Sequence, residues 1–382
     1  MRYPVVQSPP DRADASHAAR LASHATVSTT LALLSDRQLG RLVSDAEPVG
    51  AGIGGAAVSM EVEGLRVFVK RVPLTDLERR PENVRSTANL FQLPTSCQYG
   101  IGGPGFGAWR ELAANVMTTN WVLSGRNGSF PLMYHWRVLP GAVPTPEEHT
   151  DVEGAVAYWD GSPAVRERLR AVARSSTTVV LFLEHIPLTL DEWLTRQVGD
   201  GADAIDSACQ LVERSLTEDV AFMNTNGLLH FDAHLRNILT DGRRLYFADL
   251  GLATSPRFDL SPAEHDFLRA NSSHDACYAV TALVNWLVSR IVGAATPAPF
   301  GAAERNELVR RYAKGEQPTQ LPPTATAIVK RYAPIAAVLN DFYWTLHGES
   351  RTAPYPYEEV ERVRAETGFG SAWPGGLPGR AT

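Results

Sequence analysis

Two hydrophobic periods divide the chain. Between residues 47 and 73, GAGIGGAAVSMEV and LRVFVKRV alternate apolar and polar positions on either side of the turn Glu63-Gly64. This is the period of half-buried strands and predicts an antiparallel hairpin that opens on a glycine-rich loop. Residues 130–139 (FPLMYHWRVL) and 177–183 (TTVVLFL) predict further strands, and residues 109–123 repeat their apolar positions every three or four, as a helix does. From residue 190 onward the helical period takes over, with helices predicted over 190–198, 202–226, 275–292, 302–314, 324–346 and 357–367. Strands early and helices late predict an α+β protein of two lobes with a cleft between them.

The connections are equally legible. Residues 1–42, rich in Ala, Ser, Arg and His, read as an N-terminal arm with a short helix over 30–43. Residues 43–186 form the strand-bearing lobe and 187–367 the helical lobe, and 368–382, rich in glycine and proline, is expected to be a flexible tail. Within the first lobe, residues 74–107 are polar and broken by Pro81, Pro94, Pro104 and a glycine cluster. A surface insertion with a helix over 162–174 separates the last two strands.

Composition narrows the function. The 382 residues carry 36 basic against 42 acidic side chains, net −6, so no global positive field exists to hold nucleic acid or an anionic membrane. Cys97, Cys209 and Cys277 are odd in number, far apart and without a CxxC pair, which excludes a cysteine-built scaffold or zinc site and suits a reducing cytoplasm. The start lacks the apolar core of a signal peptide, and the most apolar stretch, 276–288, is short for a bilayer and followed by Arg290. A soluble, cytoplasmic protein is expected. Of the basic residues only Lys70, Lys314 and Lys330 are lysine. A chain that writes arginine almost everywhere has kept one lysine in its first 313 residues, in the second hairpin strand, where a compact ammonium rather than a guanidinium fork is required.

The densest chemical signal is LLHFDAHLRNILTDGRRLYFADLGLA, residues 228–253, with His230, Asp232, His234, Asn237 and Asp249-Leu250-Gly251. Upstream, Gly50, Gly52 and Gly55 fit G-x-G-x-x-G at the start of the hairpin, a spacing that lets backbone amides approach phosphate oxygens. Lys70 follows fifteen residues after Gly55. Together these residues resemble the protein-kinase-like superfamily, which includes protein kinases and aminoglycoside phosphotransferases.

That resemblance implies the two-lobed protein-kinase-like fold, with a small antiparallel sheet lobe, a larger helical lobe and ATP with Mg²⁺ between them. Gly50, Gly52 and Gly55 would cover the phosphates, and Lys70 would contact them. Glu111 would be the carboxylate partner of Lys70, with Glu78 and Glu82 as alternatives. Leu183 would end the strand behind the adenine, with the Glu184 carbonyl and the Ile186 amide facing its polar edge. Asn237 and Asp249 would bind the metal, and Asp232 would orient the attacking hydroxyl. Asp275 would brace the catalytic loop, or else serve only as a helix cap.

Phe231 stands where regulated protein kinases carry arginine, and His234 sits as in small-molecule phosphotransferases, whose loop reads H-G-D-x-H-x-x-N. The stretch from Asp249 to Asp275 is short for a peptide-docking segment, and Ser261-Pro262-Ala263-Glu264 only loosely echoes Ala-Pro-Glu. The glycine loop and Asp-Leu-Gly, by contrast, resemble protein kinases. The resulting expectation is an ATP- and Mg²⁺-dependent kinase that phosphorylates a hydroxyl, with a protein or peptide Ser/Thr acceptor narrowly favoured over a small molecule. A pseudokinase scaffold and a metal-dependent phosphohydrolase, the latter suggested by His230-x-Asp232-x-His234 and the pairs His265-Asp266 and His274-Asp275, are the competing classes.

Overall fold

The computed structural model describes residues 16–52, 55–100, 102–295 and 300–369. The tip of the glycine loop, Ile53-Gly54, the first fifteen residues of the expected arm and residues 370–382 of the expected tail lie outside them.

The chain begins with helices α1 (His17–Leu33) and α2 (Asp36–Asp45), the second opened by a reciprocal Ser35/Gln38 capping box. Strands β1 (Glu47–Gly52), β2 (Gly55–Val62) and β3 (Leu65–Pro73) then form the expected hairpin and its leading strand. A one-turn helix α3 (Asp76–Arg79), the long helix α4 (Ala108–Leu123) and strand β4 (Met133–Pro140) follow. Helices α5 (Val152–Tyr158) and α6 (Pro163–Ala173) precede β5 (Thr177–Glu184). The five strands make one antiparallel sheet in the order β1-β2-β3-β5-β4. Pairing of Lys70 with Leu181 puts the lone early lysine beside the central buried strand.

The second half is helical. The short strand β6 (Leu188–Thr189) leads into α7 (Leu190–Asp200) and α8 (Ala202–Thr225), then β7 (Ile238–Thr240) and β8 (Leu245–Phe247) complete a small antiparallel sheet with β6. Helices α9 (Pro262–Ala270), α10 (His274–Leu287), α11 (Ala302–Ala313), α12 (Pro323–Gly348) and α13 (Tyr357–Thr367) finish the fold. α10 continues through a π-turn to Val292, so His274–Val292 is long and apolar enough to cross a membrane by length and composition, contrary to the expectation from 276–288 alone. It is mostly buried as the central helix of the helical half, with Cys277, Ala279, Leu283, Val284 and Leu287 inaccessible.

Two connections differ from expectation. The expected helix over 30–43 straddles a break at Ser35, and the described part of the arm is not separate from the fold. Val27, Leu31, Leu39 and Val43 enter the main core, and Arg20 is buried. The Arg20 guanidinium donates to Gly128 O (2.8 Å), Phe130 O (2.6 Å) and both Glu184 oxygens, the closest at 2.7 Å. The insertion is likewise built in. Val156, Trp159, Val165 and Leu169 pack with Phe91, Leu93, Cys97 and Phe106 in a second core, and Arg168 makes a buried ion pair with Glu78 at 2.8 Å.

Candidate functional site

Strand alternation buries Val67 and Val69 in the core and turns Lys70 toward the mouth between sheet and helices. Its ammonium lies 2.6 Å from Glu111 Oε1 and 2.7 Å from Asp249 Oδ1. Burial alone would lower the Lys70 pKa, but the two carboxylates raise it above its ordinary value, and the group is a cation. Burial, joined by repulsion from Asp249, raises the Glu111 carboxyl despite Lys70, whereas Lys70 holds Asp249 below its ordinary value against burial.

Glu111 belongs to the first turn of α4, and its neighbour fixes that turn. Arg110 is buried, donates to Thr87 O at 2.7 Å and makes an ion pair with Glu264 of α9 at 2.6 Å. The other Glu264 oxygen closes a capping box with Ser261. Of the alternatives considered for Lys70, Glu78 is committed to Arg168, to the Thr75 cap and to the Ala108 amide, and Glu82 is exposed.

Residues 229–237 form a loop tied down at nearly every position. Leu229 pairs with Thr254 through both backbone bonds. Asp275, 1 % exposed, accepts from His230 N (2.6 Å), Phe231 N (2.9 Å) and Asn224 Nδ2 (2.8 Å), and so braces the loop rather than merely capping α10. Phe231 adopts φ +62°, a strained conformation for a bulky residue, held by that bond and by stacking on His274 (4.8 Å) and Phe267 (5.6 Å). His230 Nε2 meets Ala248 O at 2.9 Å, and Ala248 N donates to Asn237 O, which brings Asp249 alongside the loop.

Asn237 Nδ2 donates to the Asp232 backbone oxygen (3.0 Å) and to Asp232 Oδ2 (2.9 Å). Its amide oxygen is therefore left over as an acceptor. Burial first, and repulsion from Asp249, push the Asp232 carboxyl up to about 7, against the pull of His230, Asn237 and Lys70. His234 Nδ1 accepts from the amides of Arg236 and Asn237, so the ring proton belongs on Nε2, 3.7 Å from Asp232 Oδ1. Burial lowers the His234 pKa, which keeps the imidazole neutral.

These groups face one cleft of about 1470 Å³, lined by Gly50, Gly55, Lys70, Glu111, Leu183, Glu184, Ile186, Asp232, Asn237 and Asp249. Gly52, the remaining site residue expected from sequence, ends β1 in register with Gly55. Gly55 has φ +127°, and a Cβ there would lie 2.2 Å from Arg71 O, so glycine is required where β2 begins. The Glu184 carboxylate is occupied by Arg20 and by Leu132 N at 3.0 Å, and its N–H donates to Leu132 O at 2.8 Å, which leaves the backbone carbonyl as what it can offer a ligand.

Asp249 and Asn237 present hard oxygen donors to the cleft, and the outer part of Asp249 is open. Among the described residues no group of three or more His, Cys, Asp or Glu is placed to hold a metal unaided. Two protein oxygens fit an ion that keeps waters and takes further ligands from phosphates, the usual manner of Mg²⁺. Sequence reasoning missed Arg20, Arg110, Glu264 in its pairing role and Tyr99. Only the S-x-x-E capping box marked any of them in the sequence.

The chain matches no protein-family model and no curated protein.

Proposed function

We propose that the protein is an ATP- and Mg²⁺-dependent phosphotransferase of protein-kinase-like architecture that acts on a hydroxyl group in the cytoplasm. The observation that carries this reading is Lys70 of the sheet bridging Glu111 and Asp249 in a cleft where Asp249 lies beside the loop that carries Asp232 and Asn237. Phosphoryl transfer needs positioning and charge neutralisation more than covalent chemistry, and this set supplies both. Lys70 receives phosphate oxygens, and the backbone of residues 184–186 borders the space for the base. Asn237 and Asp249 would hold Mg²⁺, which neutralises phosphate charge when bound.

Asp232 receives the acceptor's proton as the hydroxyl oxygen bonds to the γ-phosphorus and the bond to the bridging oxygen breaks, with ADP leaving. A carboxyl poised near 7 by burial is well matched to that exchange. The phosphohydrolase reading is less well supported. The rings of His230 and His234 are engaged in bracing the loop, and His274 Nε2 bonds to the Tyr343 hydroxyl at 2.7 Å. The three cysteines are buried free thiols, which suits a reducing compartment.

Calorimetric titration of MgATP tests the first half of the proposal, and Asp232→Asn tests the second. The variant should lose about 10²- to 10⁴-fold in transfer rate while its MgATP affinity stays within a few-fold of the parent. Absence of MgATP binding in the parent protein, or undiminished turnover in Asp232→Asn, refutes the assignment.

A further inference from the structure

The glycine cluster singled out in the sequence without a role lines the same cleft through Gly100, Gly102, Gly103, Gly105 and Gly107. The segment ahead of it is anchored in the helical half. The Tyr99 ring packs against Phe231, Phe267, Phe342 and Tyr343 at centroid distances of 5.2–6.4 Å, and its hydroxyl donates to Asn271 Oδ1 at 2.7 Å. Gln98 donates to the Leu252 carbonyl, just past the Asp-Leu-Gly turn. Gly100, at φ +84°, passes so close that a Cβ would lie 2.9 Å from Leu252 Cδ1 and 3.9 Å from Asp232 Oδ1. The ring of His149, itself buried, reaches Gly102 O at 3.0 Å. One flank of Asp232 is thus filled by this chain, where an extended peptide would have to pass.

The helical side of the same cleft carries a polar wall. On α10 the spacing of Asp275, Tyr278, Thr281 and Asn285 aligns the loop brace with cleft-lining residues on a single face. Thr281 is buried, and its hydroxyl has no hydrogen-bond partner. Asn285 and Asn340 exchange two amide hydrogen bonds, 2.7 and 2.9 Å, across α10 and α12. Arg305 of α11 also lines this wall. It is partly buried and has no carboxylate partner among the described residues. Its Nε and Nη2 reach only the neutral Asn306 Oδ1, at 3.2 and 2.9 Å, and burial lowers its pKa.

A partly desolvated guanidinium without a counter-charge favours an anionic ligand that supplies one. The carboxylates that line the cleft lie elsewhere: among the described residues, α10, α11 and α12 contribute Tyr278, Thr281, Asn285, Arg305, Asn340 and Tyr343 to the lining and no acidic side chain for a polycation.

Resting on the kinase reading above, we infer that the acceptor is a small hydroxyl compound bearing a carboxylate or phosphate group, with Arg305 receiving the anion. Neither a peptide nor a polycationic sugar fits this wall. This departs from the peptide acceptor narrowly favoured by the sequence.

The test uses D-glycerate and glycerol 3-phosphate as the carboxylate and phosphate probes. Each is titrated calorimetrically without nucleotide into the full chain and into Arg305→Gln and Arg305→Lys, with folding checked by thermal melting. Each is then offered with MgATP beside kanamycin and a mixed Ser/Thr peptide pool, with products followed by ³¹P NMR. At least one anion should bind the parent protein. Arg305→Gln should weaken it about 10- to 100-fold, and Arg305→Lys should recover part of the loss. The stronger of the two probes identifies the anion. No binding of either probe, equal binding by Arg305→Gln, or a phosphorylated peptide or kanamycin overturns the inference. Because the titrations need no nucleotide, failure of MgATP to bind would sink the kinase reading while leaving the Arg305 result legible.

Discussion

Replacing Arg110 by methionine deletes one partner of the ion pair that joins α4 to α9 and leaves the Glu264 carboxylate, 6 % exposed, without its counter-charge. Methionine retains most of the stem packing, so the effect is chiefly electrostatic. Breaking a buried pair from one side costs about 3–5 kcal/mol, because the survivor must stay charged in a poorly solvated place or take up a proton. The Arg110 bond to Thr87 O is lost in the same change. The double variant Arg110→Met/Glu264→Gln removes both charges. It also keeps an amide oxygen able to cap Ser261, since glutamine serves at that position of a capping box. It should therefore lie within about 1–2 kcal/mol of the parent, above the single variant. Urea unfolding at neutral pH, with the slope compared across variants, reads both quantities, and amide hydrogen exchange over 108–115 should quicken in the single variant. A loss below about 1 kcal/mol in Arg110→Met, or a double variant no more stable than the single, would refute the claim that this pair holds the start of α4.

Two further predictions concern other charged groups. Burial would raise the Glu78 carboxyl, but Arg168 and the Thr75 hydrogen bonds outweigh it and hold the group below its ordinary value. Its contribution is thus present above the unfolded pKa of about 4.3 and is lost as pH falls through the lower folded value. Glu78→Gln should be less stable at pH 7 and should lose less in melting temperature between about pH 5 and pH 3. Parallel acid profiles would contradict the assignment. Lys70→Arg keeps the charge but sets a broad guanidinium between two carboxylates now 2.6 and 2.7 Å from one nitrogen, so transfer should collapse with the fold intact by circular dichroism. An active Lys70→Arg protein would mean that the shape of the cation is irrelevant.

The parts of the molecule legible in the sequence are those whose determinants are local. The hairpin shows itself by alternation, and the loop from His230 to Asn237 by dense polar residues at fixed spacing. Lys70 stands out because composition isolates it, and helices α11 to α13 follow their periodicity closely. The remainder depends on partners distant in sequence. α1 buries only Arg20, Val27 and Leu31 among alanine, serine and threonine, too sparse a stripe to announce a packed helix. Arg110 meets Glu264 across 154 residues, and Arg168 meets Glu78 across 90, with nothing in either neighbourhood naming the other. The polar, proline-broken composition of 74–107 shows a connection without a long regular element. Its anchoring by Tyr99 depends on an aromatic cluster assembled from α9, α10 and α12.

The bond from Arg20 to Glu184 spans 164 residues and sets an order of events during synthesis. At roughly 5–20 residues per second, α1 leaves the ribosome on the order of ten to thirty seconds before its carboxylate partner exists. A seventeen-residue helix alone in water is marginal. During that interval α1 is unanchored and available to chaperones and proteases. Nascent chains arrested before residue 184 emerges should be cleaved within α1, whereas released full-length chains should resist at the same bonds.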